Sequence, residues 1–311
     1  MNNVRTEEEM NSIPNEGATA AVRAGTQPFY WSVARELWEN RSLYIAPLIV
    51  AVVQVFGFGI SAIGLAERRQ GVLSLDPALA RARIEPPYDI AAMIMMMTIF
   101  IVGIFYCLDA LYGERRDRSI LFWKSMPVSD LTSVLAKATI PHVILPIIAC
   151  VLVVVVQIAI LLITSATLLA HGMSPASTWT YIPFFQNWLV FFYGMIAVSL
   201  WHAPIYAWLL LVSAAVRKAA FLWAVLPWFV IGVFERITFG TSYVGQFLQY
   251  RLMGFAPNAF DFLGRKHPTI DSLAQLTPGK YLVSPGLLLG LLVAAVFIIG
   301  AIRLRRYRGP I

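Results

Sequence analysis

Residues 140–170 read IPHVILPIIACVLVVVVQIAILLITSATLLA, a run without one Asp, Glu, Lys or Arg. A helix rises about 1.5 Å per residue and the hydrocarbon core of a bilayer is about 30 Å thick, so roughly 20 mostly apolar residues cross it. This run crosses with residues to spare, and Pro141 and Pro146 predict a kinked entry. Five further stretches meet the same test, at 44–65, 90–112, 188–216, 219–234 and 281–302, with Arg217 and Lys218 as a tight hinge between the fourth and the fifth.

Composition agrees with the stretches. The chain of 311 residues is 59% hydrophobic and 13% charged, with a mean hydropathy of +0.70, where average usage puts charge at about 25%. A fold in water would have to expose large apolar patches, which excludes an ordinary soluble enzyme. Cys107 and Cys150 sit inside apolar runs, where a thiol acts as a small buried hydrophobe, so neither a disulfide framework nor a cysteine metal site is indicated. The expected fold is an all-α integral membrane protein with six transmembrane helices.

Orientation follows the basic residues. Of 24 Lys and Arg, 15 fall in segments 1–43, 113–138, 217–218 and 303–308, and 9 in 66–89, 171–187 and 236–280. The bias puts both termini in the cytoplasm, against the pull of Arg68 and Arg69. The opening MNNVRTEEEMNSIPNEGATA lacks the basic and apolar regions of a secretory signal, and residues 1–27 read as a disordered cytoplasmic segment. In 28–43, Tyr30, Val33, Ala34, Leu37 and Trp38 share one helical face, with Ser32, Arg35, Glu36, Glu39 and Asn40 on the other, the pattern of an interfacial amphipathic helix. The segment 238–280 is long for a connection. Val244, Phe247, Leu248 and Met253 recur there at near-helical spacing, so short helices are expected on the outer side between spans five and six. Residues 303–311 form a basic cytoplasmic tail.

Catalytic motifs are sparse. The chain has no GxxxxGK[ST] phosphate loop, HExxH or GxSxG, and no metal site or catalytic residue is expected. Ionisable and polar groups inside spans are costly and often functional, which makes His202 with Trp201, together with Gln157 and Met96 of the methionine run, candidates for a substrate path. Each has a plainer account: a neutral histidine bonded between helices, a glutamine that joins helices, a methionine that faces lipid. An intramembrane enzyme centred on His202 lacks a partner acid or nucleophile in the spans.

The segment after the second span is denser in information. LDALYGERRDRSILFWKSMPVSDLTSVLAKA, residues 108–138, reads as a span ending at Tyr112, a charged turn over 113–118, and a short amphipathic helix carrying Ile120, Leu121, Phe122 and Trp123. Pro127 then breaks the chain and Ser129 offers a cap to a new helix running toward Lys137. The series Glu114, Ser119, Ile120, Ser125, Pro127, Val128, Ser129 and Lys137 resembles the signature of ABC type-2 transporter permeases, with Arg118 and Ser119 where that pattern usually has a Gly-Thr pair. The resemblance covers about thirty residues.

It implies an N-terminal connecting helix, six spans with both termini inside, short outer helices between spans five and six, and a coupling segment at 113–138. That segment would dock on a separate ATP-binding subunit through Glu114, Arg115, Arg116, Asp117 and Arg118 as polar contacts and Phe122, Trp123, Met126 and Pro127 as apolar ones. ATP and Mg would be bound by two copies of that partner and no cofactor by this chain, which would pair with a second permease copy in the cell membrane, a bacterial inner membrane. The implied function is ATP-driven export of a lipophilic or amphipathic substrate by alternating access, without an enzymatic activity of the chain's own. The alternative is a membrane module that transmits force or signal from an ATPase without moving cargo. The charge of +7 reads as topology and gives no cause to invoke nucleic acid.

Overall fold

The computed structural model describes residues 16–73, 75–125, 128–262 and 272–309. It is 85% helical, without a strand among the described residues. Six helices are long and apolar enough to cross a membrane, which is the architecture of a multi-pass all-α membrane protein.

Helix α1 (Glu16–Glu39) starts well before residue 28, where the sequence suggested that helix begins. The first span, α2 (Ser42–Ser61), ends at a turn containing Gly64 at φ 76° and leads into α3 (Leu65–Leu73) and α4 (Pro77–Ile84). These two helices occupy the stretch that reads from sequence as a connecting loop. Asp76 caps α4 by accepting from the Ala78 amide at 3.2 Å, with Pro77 supplying the preset φ of a first helical residue. The second span, α5 (Pro86–Ala110), is followed by α6 (Tyr112–Arg116), α7 (Ser119–Ser125) and α8 (Asp130–Thr139). Ser129 caps α8 through the Thr132 amide at 3.0 Å, the role its position suggests.

From α8 the chain continues through a π-helical stretch, Ile140–Ile144, into α9 (Leu145–Ala170). Pro141 lies within this irregularity and Pro146 just beyond it, and neither has an N–H to donate to the helical ladder. After α10 (Ala176–Tyr181), the fourth span divides. Helices α11 (Phe184–Trp201) and α12 (Ala203–Ala215) meet at His202, with φ −83° and ψ 0°. The sequence reads 188–216 as one span, and the break falls where Pro204 cannot donate to the carbonyl four residues back. Ala219 at φ 52° turns the chain into α13 (Ala220–Phe239), and Gly240 at φ 66° ends it.

Between this helix and the last span come α14 (Tyr243–Met253), α15 (Phe255–Ala259), a 3-10 turn at Leu273–Gln275 and α16 (Pro278–Leu282). Helix α17 (Pro285–Tyr307) closes the bundle.

Packing is densest between α12 and α17, and among α2, α5 and α9. The core runs from Leu43 and Tyr106 through Met95, Val153 and Leu210 to Ala301. A smaller cluster of Trp201, Phe260, Tyr281 and Leu287 joins α11 to the short helices before α17. Outside this core the bundle is apolar: Val52, Phe56, Phe229, Phe234, Leu292 and Val296 are all exposed. Each would gain about 1.5–3 kcal/mol from burial, so these six alone rival the ~5–15 kcal/mol of a typical fold. Such a surface is stable only in an apolar surround. In α13 only Ala220, Ala224 and Glu235 are buried.

Candidate functional site

Packing brings α1 against α8, and α8 against the last turns of α17, at what we term the basal end of the bundle. Five elements deliver ionisable side chains to one point there. Glu36 of α1 is 1% exposed and receives Lys137 Nζ on both carboxylate oxygens, at 2.9 and 3.0 Å. Tyr106 of α5 donates its hydroxyl to Glu36 Oε2 at 2.8 Å, and Arg35 Nη2 reaches Oε1 at 2.6 Å. The same Lys137 ammonium, 2% exposed, lies 3.1 Å from Glu114 Oε1 of α6. Glu114 Oε2 takes Arg305 Nη2 of α17 at 3.3 Å, and Arg305 Nη1 also pairs with Asp130 at the start of α8. Glu39 joins Arg35 at the exposed rim.

Three cations (Arg35, Lys137, Arg305) thus face three carboxylates (Glu36, Glu114, Asp130). Burying an ion is costly unless partners satisfy it, and here each charge has at least one. Burial alone would raise the Glu36 carboxyl pKa; Lys137 and Arg35 outweigh it and hold that carboxyl below its ordinary value.

A second set of bonds ties the same region to the hinge between α12 and α13. Ser213 Oγ accepts from the Leu111 and Tyr112 amides at 3.0 and 2.8 Å, across the break between α5 and α6. Arg115, also buried, donates Nη1 to the Ala214 and Val216 carbonyls at 2.7 and 3.0 Å. It thereby satisfies carbonyls that the end of α12 leaves open, with its charge at the negative pole of the helix. Its Nε donates to the Gly309 carbonyl at 3.3 Å, and Lys124 Nζ of α7 to the Arg306 and Arg308 carbonyls at 3.3 and 3.4 Å. Ser119 Oγ donates to the Glu114 carbonyl at 3.4 Å. Arg118, at φ 58°, occupies the left-handed region that favours glycine.

The five charged residues expected to act together therefore fall into two sets. Glu114 and Arg115 are internal, while Arg116 (52% exposed), Asp117 and Arg118 face outward. Phe122 is exposed on α7, and Trp123 belongs to the same helix. Met126 and Pro127 lie outside the described residues.

The substrate-path candidates do not gather. His202 and Trp201 are adjacent and buried: His202 Nε2 bonds the Leu252 carbonyl at 3.0 Å and its ring sits 4.8 Å from Phe100. Trp201 packs on Tyr250 and under the Arg251 guanidinium. Gln157 is engaged elsewhere, donating to the Tyr88 carbonyl at 3.0 Å and accepting from Trp188 Nε1 at 2.7 Å. Met96 is half-buried against the main core. An apolar crevice of about 230 Å³ between α9 and α11 is lined by Cys150, Val153, Phe185, Trp188 and Phe192 among others, and by none of these four candidates.

Sequence reading missed Glu36, Tyr106, Asp130, Ser213 and Arg305 as a set. Their partners stand 70 to 191 residues away along the chain, so no local spacing announces them. The one usable signal is Glu36 itself, a carboxylate on a helix whose Tyr30, Trp31 and Trp38 are exposed; the polar face turns toward the protein. No family model, no curated protein and no solved structure matches the chain.

Proposed function

We propose that the chain is the membrane-spanning permease subunit of an ATP-binding-cassette transporter, and that α6 and α7 dock on a separate ATP-binding subunit. The observation that carries this reading is the way the resembling segment folds. Glu114 meets Lys137 at 3.1 Å, Ser119 bonds the Glu114 carbonyl, and Ser129 caps α8. Arg118 is left-handed at the position where the resembling pattern has glycine. Glu114, Lys137, Ser119 and Ser129 each have a structural job that the residue type suits, and Arg118 keeps the backbone conformation of the glycine it replaces.

In this reading Glu114 and Arg115 fasten the segment to the spans. The outward-facing Arg116, Asp117, Arg118 and Phe122 meet the partner, as do Trp123, Met126 and Pro127. The partner's two copies bind ATP and Mg. Their closure moves α6 and α7, and the ionic junction passes that movement to α1, α5, α8 and α17 at once. ATP shifts the equilibrium between inward and outward access only through a differential affinity for the two states, which requires a stiff mechanical link of this kind.

The termini lie in the cytoplasm of a bacterial cell, with α1 in the interface and its exposed aromatic residues among the headgroups. Helices α14 to α16 lie on the outer side. A second copy packs on the bare face of α13. The apolar spans suit a lipophilic or amphipathic cargo.

Purification from native membranes tests the reading: an ATP-binding subunit is retained, and Arg116→Glu with Asp117→Lys uncouples ATP hydrolysis from movement of a labelled lipid in proteoliposomes. Absence of that subunit, or unchanged coupling, overturns it. Coupled hydrolysis without movement of any lipid or drug leaves a force-transmitting module in its place.

A further inference from the structure

At the end of the bundle opposite the ionic junction, Arg69 stands apart from the buried cations already described. Lys137 and Arg305 hold carboxylates, and Arg115 holds helix-end carbonyls. Arg69 is 9% exposed, yet no carboxylate of a described residue lies within ion-pair distance, and its Nη1 has no hydrogen-bond partner. The turn at Gly64 lays α3 along α9 and brings the guanidinium within electrostatic reach of Tyr88, at the start of α5. Tyr88 is 1% exposed and its hydroxyl is also without a partner, although the Thr164 side chain lies beside it.

The nearby carboxylates are otherwise placed. Glu85 is held by Arg81 at 3.0 Å and by Asn187 at 3.3 Å, and Glu67 and Asp89 are exposed. A buried N–H donor and a buried O–H donor without an acceptor are the complement of an oxyanion.

An apolar wall continues from this donor pair. The Tyr88 ring meets Phe184 edge-on at 5.4 Å, and Phe184 lies 6.3 Å from Trp188. Trp188 in turn lines the crevice of about 230 Å³ between α9 and α11. We propose that Arg69 and Tyr88 bind the oxyanion head, a phosphate ester or carboxylate, of an anionic amphiphile whose apolar tail runs along Phe184 and Trp188 into that crevice. The site does not depend on docking to an ATPase.

Thermal unfolding of the purified full-length chain tests this, with phosphatidylglycerol, diacylglycerol or inorganic phosphate added. Phosphatidylglycerol stabilises the wild type and an Arg68→Gln control, whose arginine is exposed, and diacylglycerol, which has the tails without the oxyanion, does not. Arg69→Gln raises the half-saturating phosphatidylglycerol concentration by about tenfold or more, the effect expected from losing a hydrogen bond to a charged group. Tyr88→Phe weakens binding in the same direction and serves if Arg69→Gln fails to fold. Stabilisation by inorganic phosphate to the same extent would overturn the tail assignment and leave a site for a free anion. Equal responses of Arg69→Gln and Arg68→Gln, or equal effects of the two lipids, would overturn the site itself.

Discussion

Replacing Lys137 by methionine removes the charge at the centre of the basal junction while keeping a flexible side chain of similar length. In the wild type its ammonium touches three carboxylate oxygens within 2.9–3.1 Å, two on Glu36 and one on Glu114. Without it, Arg35 and Arg305 remain to balance Glu36, Glu114 and Asp130, so the junction is left with one negative charge in excess. Breaking a buried pair by removing one partner costs about 3–5 kcal/mol. Glu36 keeps Tyr106 at 2.8 Å and Arg35 at 2.6 Å, and Glu114 keeps Arg305 at 3.3 Å, which puts Lys137→Met near the lower limit, at about 3 kcal/mol.

Adding Glu36→Gln restores charge parity, and the amide oxygen can still accept from Tyr106. The double variant should therefore be more stable than the sum of the single effects predicts, by about 2 kcal/mol, within the range of coupling between residues of one network. Equilibrium unfolding in mixed detergent micelles measures all three variants against a Lys280→Met control, whose lysine is exposed and away from the junction. A loss below about 1 kcal/mol for Lys137→Met, or strict additivity in the cycle, would refute the junction as an energetic unit.

Glu36 gives the junction a pH dependence of known sign. Its pKa is lowered in the fold, so its contribution is present above the ordinary carboxylate value of 4.5 and is lost as pH falls through the lower folded value; the stability gap between wild type and Glu36→Gln should narrow only in that acid range. Arg118→Gly should stabilise the chain by roughly 0.5–1 kcal/mol, the relief of a left-handed backbone less the entropy glycine gains when unfolded, and unfolding measurements giving a loss would contradict it. Ser213→Ala leaves the buried Leu111 and Tyr112 amides without their acceptor and should cost about 1–3 kcal/mol by the same method. In Gly286→Ala the new methyl would run into the Tyr250 hydroxyl and the edge of Trp201; a loss of about 1–3 kcal/mol and an altered near-ultraviolet dichroism of the tryptophans are expected.

What could be read from sequence was what local chemistry controls. The apolar runs gave five of the six span-length helices close to their observed places, because chain length against bilayer thickness is a one-dimensional criterion. Ser129 was legible as a cap because its partner, the Thr132 amide, is three residues away. The division of the fourth span at His202 was harder: hydropathy continues unbroken through Pro204, and only the missing amide reveals the joint. Helices α3 and α4 carry Arg68, Arg69, Arg81 and Arg83, and their polarity reads as loop because no lipid-facing stripe marks them. The junction lay furthest from view. Arg305 looks like one more basic residue in a tail, and Glu114 like one more member of a charged turn, until folding sets them 3.3 Å apart.

The order in which the junction's members are made has a consequence for biogenesis. Glu36 and Arg35 emerge from the ribosome first, Tyr106, Glu114, Asp130 and Lys137 next, and Arg305 after every other span has been synthesised. Until α17 arrives, Glu114 and Glu36 share Lys137 and Arg35, and Asp130 lacks Arg305, so three carboxylates face two cations and the base of the nascent bundle carries a net negative charge. Insertion of the last helix neutralises it. The step that adds α17 is thus also the step that locks α6 in place, and a chain stalled before residue 305 differs from one that contains it in electrostatics as well as in length.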